Sequence, residues 1–484
     1  MNKKEITKKL FVVIGIEIHV QLNLKQKMFS KARVEDKCVN KNVEIIDLAL
    51  PGYKPKINLK AVFLAIQAAY LLNLNINKKI SFDRKNYLYP DLPKGFQLTQ
   101  QFHPLGVNGY LEIETKENKQ KKILIERLHI EEDTAKQIHS KIKTFLNFDR
   151  CGRALIEIVT KPCIENEIEA INYVKKIKNV LKMANISTCE MSKGTMRCDI
   201  NISLQTNKNQ LINNKVEIKN LNSLKDIKEA IIFEIKHQKN ILKKNKKVEL
   251  VTKRYSALKK ETILLRKKEE HKDYHFFPEP NLRPFYLSND FVNNAIKQIP
   301  FSYHKIFNKL SNKYCLDNKS IEILIDSNQK LWLFFLECAK INTNYKEMAQ
   351  RIINELSFIL NTCKINLFKS YLKFEQFSQL TNLLISKQID ILNYKKLLKK
   401  CLISDFNLEI NLKKYIFEKL NDPIKIKALF LEFINNNKEI LIDYPTRPNR
   451  VLKFFMGLIM KKTKGKIEAI LAKNILSEIL KQYA

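Results

Sequence analysis

Residues 11–22, FVVIGIEIHVQL, carry the pattern from which the architecture of the first half of the chain can be argued. Successive side chains of a β-strand point to opposite faces of its sheet. One face of this strand presents Glu17, His19 and Gln21, with Gly15 leaving an open space beside them. The opposite face is wholly apolar and consists of Val12, Ile14, Ile16, Ile18, Val20 and Leu22.

The polar face of this strand has two interpretations. It faces water, as in any half-buried strand, or Glu17 and His19 project together into a cleft as metal ligands or acid–base groups. The local pattern favours the first interpretation but does not decide between the two. The choice depends on whether other segments supply partners of suitable chemistry.

The length and composition place the chain among globular proteins with several domains. It has 484 residues, 45% of them hydrophobic, and no apolar run approaches the ~18–20 residues that a membrane span requires. The N-terminal segment lacks a small-residue cleavage site. Nine cysteines occur without a CxxC pair, which indicates reduced thiols rather than disulfides or a cysteine-based zinc site. We therefore expect a soluble, cytoplasmic protein that does not associate with membranes.

The net charge of +37 predicts attraction to polyanions, nucleic acids first. The charge also has a second explanation. The chain is rich in Lys, Asn and Ile, whose codons are AT-rich, so a mutational bias toward A and T would supply much of the positive charge without any binding function. The charge is therefore compatible with RNA binding but does not establish it.

Residue patterning predicts an α+β fold followed by a helical half. Seven of the nine glycines lie in the first 194 residues. Helical patterns occupy 58–74, 165–185 and about 222–248, whereas 271–285 is irregular and rich in aromatic residues and proline. We place domains at 1–293, 294–405 and 406–484. The alternating segments that predict strands lie at 11–22, 110–114, 123–130, 153–159, 196–204 and 214–219.

Three further segments resemble the first strand, because each combines apolar residues with acidic or imidazole side chains. MRCDINIS (196–203) carries Asp199 on its polar face, and KVEIKN (215–220) carries Glu217. RLHIEEDTAK (127–136) places His129, Glu131, Glu132 and Asp133 close together. Carboxylates cluster when a positive charge offsets their repulsion, and an oxygen-rich site with an imidazole suits Mg²⁺ or Mn²⁺ and phosphates. Ordinary amphipathic strands with solvated acids fit the spacing equally well.

The segment FDRKNYLYPDLPKGFQLTQ (82–100) is interpreted as a loop rich in cations and prolines. Its Arg84, Lys85 and Lys94 could hold phosphates or a carboxylate, although a surface turn explains the same residues. No GxxxxGK[ST] or GxGxxG motif is present, so any use of ATP requires a fold other than a P-loop or kinase domain.

Together the segments resemble the B subunits of the aspartyl/glutamyl-tRNA(Asn/Gln) amidotransferases of bacteria and organelles. The similarity runs in order from residue 11 to about 480. Its segments are VVIGIEIHVQL, SKARVEDKCVNKNVEIIDLALPG, SFDRKNYLYPDLPKGFQLTQ, NGYLEIE, RLHIEEDTAK, RALIEIVTKP, GTMRCDINISL, VEIKNLNS, DYHFFPEPNL and KFFMGLIMKKTKGK.

The resemblance implies an ATP- and Mg²⁺-dependent reaction on tRNA. Glutamate or aspartate mischarged on tRNA(Gln) or tRNA(Asn) is phosphorylated on its side chain, and ammonia then displaces the phosphate. An amidase A subunit releases the ammonia from glutamine, and a small C subunit completes a heterotrimer. A cradle-like catalytic domain is implied for 1–293, and a tRNA-binding helical tail for 406–484.

The resemblance also assigns residues by matching motif. It implies that Arg84, Lys85 and Tyr87 lie near the substrate or its phosphate, and that Glu132 and Asp199 take part in catalysis. The implied metal ligands are Glu17, His19, Glu132, Asp199 and Glu217, with Glu131 as a second candidate in its motif.

One region departs from the family. Some members carry two cysteine pairs as a zinc site, but here those positions read Ser30, Ala32, Glu44 and Asp47, and Cys38 stands alone. We therefore expect no structural zinc.

Two other functions remain as alternatives. One is an RNA-binding scaffold that has lost catalysis, although the acidic set is intact. The other is a metal-dependent nuclease or phosphotransferase with a different substrate.

Overall fold

The computed structural model of this chain describes residues 10–35, 39–205, 214–267, 274–412, 415, 422–463, 467 and 469–483. It divides into two compact units, 1–306 and 307–484. The first is built on β-sheets and the second on helices, which confirms the predicted α+β class. The three-domain division with boundaries at 293 and 405 stays a prediction. Within the described ranges, every helix is too short or too polar to cross a membrane.

The strands of the described residues lie in the first unit. In chain order they are β1 (Phe11–Gln21), β2 (Asn75–Ile76), β3 (Lys79–Ile80), β4 (Asp83–Asn86), β5 (Phe96–Thr99), β6 (Gly106–Glu114), β7 (Gln120–Glu132), β8 (Lys136–His139), β9 (Thr144–Asn147), β10 (Ala154–Thr160), β11 (Met196–Gln205), β12 (Val216–Leu221), β13 (Val251–Ser256), β14 (Glu261–Lys267), β15 (His275–Pro278) and β16 (Phe285–Tyr286).

The α-helices begin in the first unit and dominate the second. They are α1 (Leu59–Leu71), α2 (Glu167–Met183), α3 (Leu224–Lys243), α4 (Asn289–Lys297), α5 (Tyr303–Asn308), α6 (Asn318–Asp326), α7 (Leu331–Cys338), α8 (Tyr345–Arg351), α9 (Ser357–Cys363), α10 (Phe374–Ile385), α11 (Ile391–Ile403), α12 (Leu408–Leu412), α13 (Pro423–Asn436), α14 (Pro448–Lys462) and α15 (Ala469–Leu480).

The main sheet of the first unit places β1 near its centre. Within the described residues it has nine strands in the order β14-β13-β12-β11-β1-β10-β7-β6-β2. β1 pairs antiparallel with β10 and β11. Its apolar face is buried as predicted, with Ile14, Ile16, Ile18 and Val20 at most 1% exposed.

Two long helices cover the apolar face of this sheet. α2 follows Asn166, whose side chain accepts a hydrogen bond from the backbone nitrogen of Glu169, and α3 follows Ser223 in the same way. α3 also connects β12 to β13, which pair in parallel. A parallel pair requires such a crossover, because a tight turn cannot return the chain to the same end of the sheet.

The interpretation of 82–100 as a loop is wrong at both ends of the segment, where β4 and β5 form. The interpretation of 271–285 as irregular is also wrong, because this segment contains β15. β4 and β5 pair antiparallel, and β15 pairs with the other edge of β4 to give a three-stranded sheet. These strands have four residues each, which is too few for an alternating pattern to be recognised. Their partners also include a segment that lies nearly two hundred residues further along the chain.

The segment that contains Ser30, Glu44 and Asp47 is held by a buried ion pair. The Asp47 carboxylate accepts hydrogen bonds from Lys27 Nζ at 3.0 Å, Ser30 Oγ at 3.2 Å and the Glu44 backbone nitrogen at 3.0 Å. Lys27 is fully buried and Asp47 is 5% exposed. Cys38 lies outside the described residues, and the absence of structural zinc stays a prediction.

The second unit contains a separate three-helix core near its end. α13, α14 and α15 bury Phe430, Phe455 and Leu476 against one another. Asp422 caps α13 through the backbone nitrogens of residues 424 and 425. Residues 422–480 therefore include a hydrophobic cluster of their own.

Two glycines give a matched test of packing in the two units. A Cβ at Gly109 on β6 would lie 2.6 Å from Leu74 Cγ and 2.7 Å from the carbonyl oxygen of Leu72, whereas one at Gly457 on α14 meets nothing within 4 Å. Gly109→Ala should destabilise the first unit by about 1–3 kcal/mol, because backbone must move. Gly457→Ala should stabilise α14 by about 0.5–1 kcal/mol.

Urea unfolding of both variants measures these changes. Circular dichroism follows the whole chain, and the fluorescence of Trp332, the single tryptophan, follows the second unit. Wild-type stability of Gly109→Ala would contradict the close approach of β6 to the chain that follows α1.

Candidate functional site

The polar face of the main sheet carries one continuous row of charged side chains. The register places Glu157 of β10 and Arg197 of β11 on either side of His19. Asp199 lies opposite Glu17 in the same way. Because alternation is preserved across paired strands, these side chains share the face opposite the buried isoleucines.

His19 lies in the densest part of this row. Its Nδ1 is 2.9 Å from Glu131 Oε1 and 3.8 Å from Glu157 Oε2, and Glu157 Oε2 is also 3.2 Å from His129 Nε2. Among the described residues, His19, Glu131 and Glu157 each offer one ligand atom, and these three atoms all lie within 4.8 Å of one another. Two carboxylates and an imidazole at this spacing are suited to a divalent cation.

The electrostatics of this group are dominated by its two carboxylates. Burial by itself lowers the pKa of His19, but Glu157 and the hydrogen bond that His19 donates to Glu131 outweigh it and raise that pKa to about 9. Burial raises the pKa of Glu131, yet the two histidines bring it well below its usual range. In this arrangement the carboxylates are therefore anionic, and the positive charge of the protonated histidines offsets their mutual repulsion.

A second group of carboxylates surrounds Lys219. Its Nζ lies 3.1 Å from Asp199 Oδ2 and 3.0 Å from Glu217 Oε1, and Glu217 Oε2 also accepts a hydrogen bond from Thr252 Oγ1 at 2.9 Å. The Lys219 ammonium therefore occupies the position between two of the predicted metal ligands. A cation bound there has to displace that ammonium.

Glu17 connects the two groups. It accepts a hydrogen bond from Asn201 Nδ2 at 2.8 Å, and its pKa is raised first by burial and then by Glu157, Glu217 and Asp199. The open space predicted beside Gly15 is confirmed. A Cβ there would have no neighbour closer than 3.9 Å, and a cavity of about 210 Å³ reaches from Gly15 to Glu17.

A network around Asp133 borders the row. Its carboxylate, 4% exposed, accepts from Arg150 Nε and Nη2 at 3.0 and 2.8 Å and from Arg197 Nη2 at 2.6 Å. Arg150 also donates to the carbonyl oxygen of Gly194. The Arg150 guanidinium is thus fixed by three bonds, whereas Arg197 is 44% exposed.

Glu132 lies apart from the other predicted ligands. It follows Glu131 on β7, so its side chain points to the other face. There its Oε1 pairs with Lys94 Nζ and accepts from the Leu98 backbone nitrogen at 2.9 Å. Glu132 therefore fastens β5 and the preceding loop to the end of β7.

Arg84, predicted to lie near the substrate or phosphate, is engaged by protein groups. Its Nε and Nη2 donate to the two carboxylate oxygens of Glu279 at 2.6 and 3.0 Å, and its guanidinium stacks 4.2 Å from the Phe96 ring centroid. Glu279 is 3% exposed. The pair joins β4 to the chain after β15, which gives Arg84 a structural role in this state.

Lys85 and Tyr87, the other two predicted residues, meet an aromatic side chain from the distant segment. Lys85 Nζ lies 4.5 Å from the Tyr274 ring centroid, and the Tyr87 ring lies 5.5 Å from the same centroid. The pKa of Tyr87 is raised by burial and then by Asp91 and Glu131, so its hydroxyl is protonated at neutral pH.

The structure thus brings together Glu17, His19, Glu131, Asp199 and Glu217 on one face, and places Glu132 on the other. Their roles as ligands stay predictions. Glu157 is absent from the sequence-derived candidates, although its motif RALIEIVTKP is among the matching segments. The sequence feature that could have identified Glu157 is its position as a single acid among five apolar residues of one strand, because a carboxylate is seldom buried in such a setting unless it is paired.

Comparison with known proteins adds an independent finding. The family model described as the GatB/GatE catalytic domain matches residues 12–293, and the model described as the GatB domain matches residues 333–480. The first match includes residues of every strand of the main sheet.

Curated relatives match over nearly the whole chain, and each is named as the B subunit of an aspartyl/glutamyl-tRNA(Asn/Gln) amidotransferase. The protein of Mycoplasma capricolum subsp. capricolum is 41% identical over 477 residues, 97% of this chain and 98% of its own length. That of Mesoplasma florum is 37% identical over 476 residues, 97% and 98% of the two chains. That of Clostridium kluyveri is 34% identical over 481 residues, 97% and 99% of the two chains.

The Arg84–Glu279 pair predicts a pH dependence of stability. Burial raises the pKa of Glu279, but the hydrogen bonds from Arg84 and Asn281 lower it below its ordinary value. A depressed carboxyl pKa stabilises the fold above the pKa of the unfolded chain, about 4.3, and this stabilisation is lost as pH falls through the folded value.

Glu279→Gln should therefore lower the free energy of unfolding near pH 7 and flatten its decline below about pH 4.3. Urea unfolding at a series of pH values measures both effects. Glu117→Gln, at an exposed position between β6 and β7, is the matched control and should follow the wild type. An unchanged acid dependence in Glu279→Gln would contradict the ion pair.

Proposed function

We infer the function of this chain from its family, because it belongs to the B subunits of the aspartyl/glutamyl-tRNA(Asn/Gln) amidotransferases. Membership implies an amidotransferase activity in translation, shared with partner subunits. The finer steps below are proposed from this membership and from the polar face of the main sheet.

We propose that the first unit performs the ATP-dependent half of the reaction. The side-chain carboxylate of glutamate or aspartate on the mischarged tRNA attacks the γ-phosphorus of ATP, and ADP leaves. Ammonia then attacks the carbonyl carbon of the acyl phosphate, inorganic phosphate leaves, and the nitrogen loses a proton to give the amide. Activation is required because a free carboxylate is a poor electrophile and an acyl phosphate has a good leaving group.

One observation carries this proposal. Acidic and imidazole side chains from five separate segments of the chain meet on a single sheet face, whose reverse side is the hydrophobic core. Solvated surface acids have no reason to converge in this way, because their mutual repulsion costs free energy. Phosphoryl transfer from ATP provides the reason, since it proceeds with a divalent cation bound among carboxylates.

The donor set at His19 fits Mg²⁺ or Mn²⁺. Glu131 and Glu157 supply oxygens, and His19 supplies an imidazole nitrogen once it has lost the proton that the two carboxylates stabilise, within the spacing noted above. A cation held there would neutralise the phosphate charge that accumulates during transfer. Asp199, Glu217 and Lys219 would form the adjoining wall, where the ammonium already balances two carboxylates.

The substrate would enter beside β4. Lys85 combines an ammonium with two tyrosine rings, Tyr87 and Tyr274, at 4.5–6.0 Å, which is a surface suited to phosphate and to a stacked nucleobase. Arg84 and Glu132 would support this side through Glu279 and Lys94, rather than by contact with the substrate.

The proposed partners follow from the source of the nitrogen. An amidase A subunit would release ammonia from glutamine, and a small C subunit would complete the heterotrimer. The second unit would bind the tRNA body, and the enzyme would act in the cytoplasm. The scaffold and nuclease alternatives lack support from the relatives, all of which carry the amidotransferase name.

The first test uses the purified complex with Glu-tRNA(Gln), ATP, Mg²⁺ and ammonium. Gln-tRNA and ADP should appear. Asp199→Asn should lower kcat about 10²-fold or more, because it removes a charge that organises the transition state, while tRNA affinity is unchanged. Full activity of Asp199→Asn would remove this residue from the site, and cleaved tRNA would favour the nuclease alternative.

A direct measurement of cation binding distinguishes a role of Glu157 as a metal ligand from a purely structural role. Glu157→Gln should weaken Mn²⁺ binding to the complex by about 10–100-fold, measured by calorimetry. Glu112→Gln on β6, whose side chain is 45% exposed, is the matched control and should bind Mn²⁺ as the wild type does. Equal affinity in the two variants would contradict the cation site at His19.

The role of the last helices is tested by the salt dependence of tRNA binding. Lys453 and Lys461 on α14 are exposed, as are Lys116 and Lys119 in the turn between β6 and β7. Removal of one lysine–phosphate interaction should reduce the slope of log K against log salt by about 0.7–0.9. Replacing the α14 pair by Gln should flatten the slope, and replacing the turn pair should not. Equal slopes would argue against tRNA binding by α14.

A further inference from the structure

Arg197 presents unused hydrogen-bond donors beside the His19 group. It lies opposite His19 in the register of β1 and β11, and its Nη2 donates to Asp133 Oδ1 at 2.6 Å. Asp133 follows directly after β7, and β1 and β10 lie between β11 and β7 in the sheet. The Arg197–Asp133 contact therefore spans the two strands that carry His19 and Glu157.

Two other cations of the first unit are already engaged by carboxylates. Lys219 is shared by Asp199 and Glu217, and Arg84 donates two bonds to Glu279. Within the part of the chain that the structure describes, the Arg197 guanidinium bonds through Nη2 to Asp133, and 44% of its side chain is exposed. A guanidinium has five N–H donors, more than this contact with Asp133 uses.

We propose that Arg197 binds an oxyanion of the substrate, a carboxylate or a phosphate, beside His19. The proposal rests on the proposed function. Arginine is suited to this task because its planar fork matches both anions and its charge is permanent. Buried Asp133, itself fixed by two bonds from Arg150, holds the guanidinium in place before the ligand arrives, which reduces the ordering cost of binding.

The charge of the row explains why such a residue is needed. The face presents the carboxylates of Glu17, Glu131, Glu157, Asp199 and Glu217. An anionic substrate that approaches these groups is repelled unless a cation on the protein meets it. Arg197 provides that cation at the border of the row, since Asp133 neutralises its charge only in part and leaves the outer donors accessible.

The test compares Arg197 with an arginine outside the row. Arg197→Gln removes the proposed donors, whereas Arg33→Gln removes a guanidinium whose side chain is 77% exposed beside Glu35. In the intact complex, Arg197→Gln should lower kcat/KM for mischarged tRNA by about 10–100-fold, the effect of losing a hydrogen bond to a charged group. Arg33→Gln should stay within about threefold of the wild type.

Equilibrium binding of ATP to the same complexes identifies the anion. Weaker ATP binding by Arg197→Gln assigns the phosphate, and unchanged ATP binding with a lower kcat assigns the substrate carboxylate. Either result supports the proposal. Equal losses in the two variants, or wild-type values for Arg197→Gln, overturn it. A wild-type complex that forms no amide contradicts the proposed function instead, and the comparison of ATP affinities then decides for Arg197.

Discussion

The register of β1 between β10 and β11 is the constraint on which the site depends. Side chains alternate with a period of two, so a slip of one residue would turn Ile16 and Ile18 outward and bury Glu17 and His19 in the core. Burial of a continuous isoleucine face against α2 and α3 makes that slip very unfavourable. The same contacts that stabilise the core therefore also position the acidic row.

Charge balance explains how so many acids coexist on one face. His19 and His129 lie among Glu131 and Glu157, and Lys219 lies between Asp199 and Glu217. Each carboxylate group has a cationic neighbour, which offsets the repulsion that burial would otherwise intensify. The row is thus stable as a fold element before any ligand binds.

The sequence predicts the elements whose signal is local and fails where partners are distant. Alternation along β1, β11 and β12 predicts the buried face and places Glu17, His19, Asp199 and Glu217 on the polar faces, whereas their grouping into one site is implied only by the family resemblance. Nothing near Arg84 reveals that Glu279 will occupy its guanidinium, because the two residues are 195 positions apart. Glu157 is missed because a lone acid in an apolar strand has no partner visible in its own segment. Four-residue strands such as β4 and β15 are likewise too short to recognise alone.

Two consecutive glutamates at the end of β7 connect the His19 group on one face of the sheet with β5 on the other face. Glu131 contacts His19 on one face, and Glu132 holds Lys94 and the start of β5 on the other. Any molecule that draws Lys94 away leaves an uncompensated buried carboxylate one residue from the histidine group. If a cation binds at His19 and a ligand engages Lys94, each would change the affinity for the other by the same factor, because linkage between two sites is reciprocal.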